Sequence, residues 1–267
     1  MERRQFLTSS LAATAVAAVG SAPVQAPAQA TVPEREFYLI RRYNLMSGPQ
    51  LKLTENFLAG ALIPTLERLG FGPIGAFRVD IGPETPTYYV LIPGSSPDRL
   101  ATLNFQLAAD AQFLQAADPY WNAKSTARPF QLIEDTLLAA FTGWPKVTPP
   151  PSSATKGKRM FQLRCYESPS NGDHIRKVEM FHSGEFDYFQ AAGCHPVFFG
   201  DTLIGSRMPN LMYMLSFPDM AALETSWDAF RNNPSWKKLQ ADPRFAFDQI
   251  VSNITNLMLS PLDCSQI

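Results

Sequence analysis

The chain repeats itself. Displaced by 123 residues and laid on itself, it brings Arg41 to Arg164, Tyr43 to Tyr166, Ser47 to Ser170, Gly70 to Gly193 and Pro73 to Pro196. Ile81-Gly82 meets Ile204-Gly205, Pro86 meets Pro209, Leu100 meets Leu223 and Thr102 meets Thr225. Random agreement at roughly 6% of positions would give about four identities over such a window, against these ten. Many of the matches are Gly and Pro, which set turns, and apolar blocks align between them. Tyr88-Tyr89-Val90-Leu91-Ile92 falls on Leu211-Met212-Tyr213-Met214-Leu215. A unit written twice restricts the fold to architectures made of two like halves.

Residues 35–145 form the first, more divergent copy and 159–262 the second. Between them residues 146–158 are a linker whose three prolines, Pro149-Pro150-Pro151, hold an extended path and whose polar remainder has nothing to bury. Each copy is expected to run strand, helix, strand, strand, helix, strand. In the second, Phe161, Leu163 and Cys165 alternate with Gln162, Arg164 and Tyr166, the period of a half-buried strand. Ile175, Val178, Phe181, Phe186 and Phe189 then make an amphipathic helix that Gly193 ends. Pro196–Phe199 opens a second strand and Asn210–Phe217 is a third, buried on both faces. Asp219 caps a helix carrying Leu223, Trp227 and Phe230. Phe247–Leu259 holds the last strand, closed by Pro261. The first copy repeats the pattern with Phe37–Tyr43, Leu53–Leu69, Ile74–Asp80, Tyr88–Pro93, Leu100–Leu114 and Phe130–Phe141; this last stretch fits a strand or a short helix equally.

Two βαβ halves with helices on one side make a ferredoxin-like four-stranded sheet. Its other face must be covered, and a duplicated chain supplies the cover. The expected fold is therefore α+β: tandem ferredoxin-like repeats forming one barrel within the chain, helices outside and a pocket enclosed.

The N-terminus carries an address. Arg3-Arg4-Gln5-Phe6-Leu7, an alanine-rich stretch over Leu11–Ala22 and Ala28-Gln29-Ala30 resemble a twin-arginine export signal ending at residue 30. Beyond it no apolar run reaches about 18 residues, so no membrane anchor is expected and the mature chain should be periplasmic or secreted. With 23 basic and 24 acidic residues, the chain has no broad electrostatic footprint for nucleic acid. Three cysteines, Cys165, Cys194 and Cys264, allow at most one internal disulfide and match no metal spacing; Cys165 is expected to be a small buried hydrophobe.

The second copy resembles the NIPSNAP family, within the dimeric α/β-barrel superfamily. The likeness rests on Leu163-Arg164-Cys165-Tyr166-Glu167, His174–Phe181, Gly184-Glu185-Phe186, Pro196–Gly200, Leu203–Leu211, Asp242-Pro243-Arg244 and Ser252-Asn253-Ile254. It covers about residues 160–262. The first copy shares only Ile40-Arg41-Arg42-Tyr43 and Ile81-Gly82, and has Glu84 and Thr87 where the second has Arg207 and Asn210. The resemblance implies a fold and no chemistry: the superfamily includes haem enzymes, cofactor-free monooxygenases and ligand binders without catalysis.

Gln162, Arg164 and Tyr166 share one strand face and are expected to point into the barrel, with Arg41 and Tyr43 from the other copy. Arginines lining a closed pocket favour an anionic ligand such as a carboxylate; the competing reading is an internal salt bridge. Glu179, His182 and Glu185 share a helical face that is normally solvated, and no second motif makes a metal site of them. His195, before Pro196, stands where a general base at the barrel mouth would, or as a plain turn residue. His174 is expected to be exposed. Arg207 and Tyr213 flank the third strand, aimed by the Met208-Pro209-Asn210 turn. No dinucleotide, P-loop, zincin or serine-hydrolase motif occurs and no cofactor is indicated. The leading expectation is a small-molecule binder for a partly apolar or anionic ligand. The alternatives are an oxidoreductase or monooxygenase using Arg164, Tyr166 and His195, and a non-catalytic interaction scaffold. Association of chains is left open.

Overall fold

The computed structural model describes residues 34–267; the expected export signal lies outside the described residues. Each repeat supplies four strands and a helical layer. The first holds β1 (Phe37–Asn44), β2 (Gly75–Ile81), β3 (Thr87–Gly94) and β4 (Leu132–Ala140); the second holds β5 (Met160–Glu167), β6 (His195–Ile204), β7 (Asn210–Phe217) and β8 (Asn253–Pro261). They close into one antiparallel barrel in the order β1-β3-β2-β8-β5-β7-β6-β4. Each half keeps the ferredoxin-like order, and the halves join edge to edge. Strand β2 pairs with β8 and β4 with β6, so each sheet's exposed edges are spent on its sister.

In the first repeat α1 (Pro49–Phe57) continues through a π-helical turn, Leu58–Leu62, into α2 (Ile63–Arg68). In the second, α6 (Asn171–Met180) runs on through Phe181–Glu185, kinked at Ser183-Gly184, into α7 (Phe186–Ala191). The π turn of the first repeat and the kinked turn of the second stand 123 residues apart, as the sequence repeat does. Both helices end at a glycine in the left-handed region, Gly70 (φ 80) and Gly193 (φ 84), where a side chain would be strained.

The second helical stretch of the first repeat is three pieces: α3 (Pro97–Ala101), α4 (Leu103–Ala108) and α5 (Ala111–Trp121). Asp110 starts α5 by accepting the Phe113 amide at 2.8 Å. In the second repeat α8 (Met220–Asn232) and α9 (Pro234–Gln240) are split at Asn233, whose side chain accepts the Ser235 and Trp236 amides. The stretch Phe130–Phe141 resolves as a strand, because β1 and β6 both need β4 between them. The last strand is shorter than expected: Phe247–Ile250 is a helical turn, α10, and β8 starts at Asn253. The linker is not idle. Pro150 and Ser153 are buried, Thr148 donates to the Val197 carbonyl at 2.8 Å, and Val147 packs on the barrel core.

The expected pocket inside the barrel is filled along most of its length by an apolar core, and the inner face keeps a cavity of about 480 Å³ at one end, lined by Arg42, Val79, Tyr89, Glu134, Arg207 and Leu257. One apolar cluster draws Tyr38 and Ile40 from β1, Phe77 and Val79 from β2 and Leu91 from β3. It continues with Leu138 and Ala140 from β4, Phe161 and Leu163 from β5, Val197 and Phe198 from β6, Met214 from β7, and Leu257 and Leu259 from β8. A cluster fed by all eight strands occupies the interior. Each large apolar side chain so buried contributes about 1.5–3 kcal/mol.

The face assignment is thereby reversed. Arg41, Tyr43, Gln162, Arg164 and Tyr166 point outward, towards the helices: Tyr43 belongs to the first sheet–helix core and Tyr166 to the second. The reason is solvation. A barrel interior is walled by strands on every side, so polar groups there would be cut off from water and partners. The sheet–helix layer has an open edge where arginines and tyrosines can reach both.

Candidate functional site

The outward turn of these residues builds two cavities, one per repeat, each between sheet and helices. The cavity of the second repeat has a volume of about 750 Å³ and is lined by Gln162, Arg164, Tyr166, Glu185, Trp227 and Asn256, among others. Strand β5 sets the first three at alternate positions along one face. Register then places Tyr213 on one side of Arg164 and Asn256 on the other. Helix α8, capped by Asp219, brings Trp227 over the top, and its indole nitrogen donates to the Gln162 amide oxygen at 2.8 Å.

Arg164 is the charged centre. Its guanidinium carbon lies 4.5 Å from the Trp227 ring centroid, 5.1 Å from Tyr166 and 5.8 Å from Tyr213, an aromatic cage of cation–π contacts. Among the described residues no carboxylate is in ion-pair contact with it, although Glu185 stands near enough to favour its charge; the Tyr213 hydroxyl is its hydrogen-bond partner, and its Nε is buried without one. Tyr213 donates its hydroxyl to that of Tyr166 at 2.9 Å, and burial pushes the phenols of both above their ordinary range, so both stay neutral.

Beneath the cage lies an ion pair that sequence reading missed. Lys177 Nζ sits 2.9 and 3.3 Å from the two carboxylate oxygens of Glu185, with both residues buried. Burial disfavours both charges, lowering the lysine pKa and raising the glutamate's, while the contact opposes each shift. The helix was expected to bury Ile175 and solvate Glu185; it does the reverse, Ile175 being exposed. The kink at Ser183-Gly184, with Gly184 at φ 121, turns the helix face and swings Glu185 inward.

The first repeat's cavity, about 760 Å³, is lined by Arg41, Tyr43, Asn104, Tyr120 and Asp135 with Phe57, Trp121, Phe130 and Ile133. Here the arginine is matched. Arg41 grips Asp135 through two bonds of 2.7 Å and donates to the Asn104 side-chain oxygen at 3.0 Å. Asp135 faces Arg41 across the ladder as Asn256 faces Arg164. The internal salt bridge is thus formed at Arg41, while among the described residues Arg164 has no carboxylate opposite it across the ladder.

Tyr213 joins the Arg164 group from behind its cavity, wholly buried. The remaining candidates do not converge on it. Arg207 lies at one end of the barrel, paired with Glu167 at 2.9 Å and donating to Thr255 at 2.9 Å. His195 opens β6, with a buried Nε2 that has no partner, and lines neither cavity. His174, expected exposed, is buried and meets Asp201 at 2.7 Å. His182 spends both ring nitrogens, Nε2 accepting the Gly143 amide at 3.2 Å and Nδ1 donating to the Val178 carbonyl at 2.9 Å. Among the described residues no three His, Cys, Asp or Glu side chains form a metal cluster, all three cysteines are free, and no helix is long and apolar enough to cross a membrane. Asn256, Asn104, Asp135 and Tyr120 were also missed; only strand register reveals the first and third.

A closed eight-stranded barrel of two ferredoxin-like halves, helices outside, is the dimeric α/β-barrel fold, here completed within one chain. A family model, Domain of unknown function (DUF6854), matches residues 179–257, within the second repeat. No curated protein matches the sequence. Among solved structures, a candidate monooxygenase from Lactobacillus acidophilus is 10% identical, with a TM-score of 0.55 over 85% of this chain and 94% of its own. A candidate monooxygenase from Fusobacterium nucleatum is 7% identical, with a TM-score of 0.52 over 87% and 94%. A NIPSNAP-like domain protein from Burkholderia xenovorans is 13% identical, with a TM-score of 0.35 over 39% and 86%. At these identities the first two express a likeness of fold.

Proposed function

We propose that this chain is an exported, NIPSNAP-like barrel that binds a small, partly apolar carboxylate between β5 and α8, with Arg164 as its anion receptor. The observation that carries the reading is the arginine itself, caged by aromatic rings at a cavity of small-molecule size and without the carboxylate its twin possesses. Trp227, Phe189 and Phe230 offer apolar wall, and the Asn256 amide offers a donor. The oxidoreductase alternative lacks its base, since His195 stands apart from Arg164 and Tyr166.

2-Naphthoate is a suitable probe, with one carboxylate on a flat apolar body. Titration followed by tryptophan fluorescence is expected to give one site per chain. Arg164→Met should weaken it by about 10–100-fold, the worth of a charged hydrogen bond, with unfolding nearly unchanged. Equal affinity in the variant would sink the proposal; a large stability loss would return Arg164 to a structural role. Export is tested separately. Replacing Arg3 and Arg4 by lysine should leave precursor in the cytoplasm, and undiminished periplasmic protein would remove the twin-arginine reading.

A further inference from the structure

We infer that one mouth of the barrel binds a short apolar peptide by its two free termini, the ammonium on the first repeat's side and the carboxylate on the second's. Four antiparallel steps separate β2 from β6 around the barrel, so the two strands run the same way. Their hairpins, β2–β3 and β6–β7, therefore share one end and face each other across the barrel axis. Glu84 and Arg207 stand on these hairpins, 123 residues apart, so equivalent positions of the repeat carry opposite charge. Both line the cavity of about 480 Å³ at this mouth, a volume of small-molecule size.

The first repeat's side has a surplus of negative charge. Arg42 is shared by two carboxylates, pairing with Glu84 and lying 3.0 Å from Glu134, while its Nε donates to Asn44 at 2.7 Å. Each glutamate meets Arg42 through Oε2, and among the described residues Oε1 of each has no partner, so both can accept from an ammonium. The second repeat's side is the reverse. Arg207 uses one terminal nitrogen, Nη1, for both Glu167 and Thr255, each at 2.9 Å, and Glu167 does not line the cavity. Among the described residues nothing meets Nη2 or Nε of Arg207, whose side chain is about half exposed; these two donors form an edge that fits a carboxylate. Tyr89 stands among all four charges, and burial raises its phenol pKa, so it stays a neutral donor. Between the poles Val79, Leu257 and the Tyr89 ring make an apolar floor continuous with the barrel core, and Leu132 is exposed at the rim. An ammonium and a carboxylate on a single carbon lie too close together to serve both hairpins. The termini of a short peptide, with apolar side chains between them, span the mouth.

This mouth shares no lining residue with the Arg164 cavity, and the experiment keeps the two readings apart. The probe is leucyl-leucine, titrated by calorimetry into the full chain carrying Arg164→Met. One equivalent is expected to bind. N-acetyl-leucyl-leucine, without the ammonium, and leucyl-leucine amide, without the carboxylate, should each bind about 10–100-fold more weakly, the worth of a charged hydrogen bond. Arg207→Gln should weaken leucyl-leucine by a similar factor and take acid and amide alike. Glu84→Gln with Glu134→Gln should lose the preference for the free over the acetylated amine. A merely structural role for these residues would weaken all three peptides equally. Circular dichroism checks each fold, and should a variant not fold, the three peptides on the unaltered mouth still decide. Absence of binding, equal affinity for the three peptides, or variants that keep the parent's preferences overturns the inference, whatever 2-naphthoate does at Arg164.

Discussion

Lys177→Met destabilises the protein by about 3–5 kcal/mol, and Glu185→Leu by a similar amount, because each single change strands a charge in the interior. The pair sits between helix and sheet with both side chains almost wholly removed from water. Lys177 Nζ also lies 3.5 Å from the Met180 sulfur, 4.3 Å from the Phe181 ring and 5.4 Å from that of Tyr166. Against a total stability of roughly 5–15 kcal/mol, such a loss is a large fraction of what holds a domain folded. The chain itself shows that the fold does not require the charges. At the positions 123 residues earlier stand Thr54 and Leu62, both buried. The double change Lys177→Met with Glu185→Leu should therefore recover most of either single loss, since an apolar pair of like volume replaces the ions without leaving one alone. Equilibrium urea unfolding of the three variants measures this. Single losses below about 1 kcal/mol, or a double variant as weak as the sum of the singles, would contradict the account.

The repeat, the number of strands and the order of elements were legible because they depend on turns and alternation, and Gly70 and Gly193 end the corresponding helix in both copies. The facing of the strands was not. Alternation in β5 separates Phe161 and Leu163 from Gln162, Arg164 and Tyr166, but both faces of that strand are buried, and period two says nothing of which face meets which partner. Closure decides it: the side sealed by strands all round takes the apolar set, and the side with an open edge takes the arginine and tyrosine. The residues chosen from the repeat, Arg41 with Tyr43 and Arg164 with Tyr166, do mark cavities, though on the opposite surface. Lys177 and Glu185 escaped because the kink at Ser183-Gly184 breaks the 3.6-residue period between them, so a helical wheel puts Glu185 in solvent. Asn256 escaped because its importance exists only across the ladder, in a register set by β5–β8 pairing.

That register supports the second large effect. Asn256→Asp should reduce 2-naphthoate binding by about 30–100-fold, more than a neutral change at the same position would. In the first repeat the acid opposite the arginine closes the guanidinium fork with two short bonds. In the second, Asn256 occupies the equivalent rung and is exposed, as Asp135 is, so an aspartate there gains a partner without a heavy desolvation cost. The new carboxylate then competes with the ligand for the same donors at an effectively intramolecular concentration, and repels it besides. Stability should hold or rise slightly, which separates this variant from one that merely damages the site. Asn256→Ala removes a donor but leaves the fork open, so its loss should stay within about tenfold. Titrating both variants beside the parent, at low and moderate salt, distinguishes charge from shape. An aspartate variant that binds 2-naphthoate as tightly as the asparagine parent would mean that Arg164 is not what holds the anion.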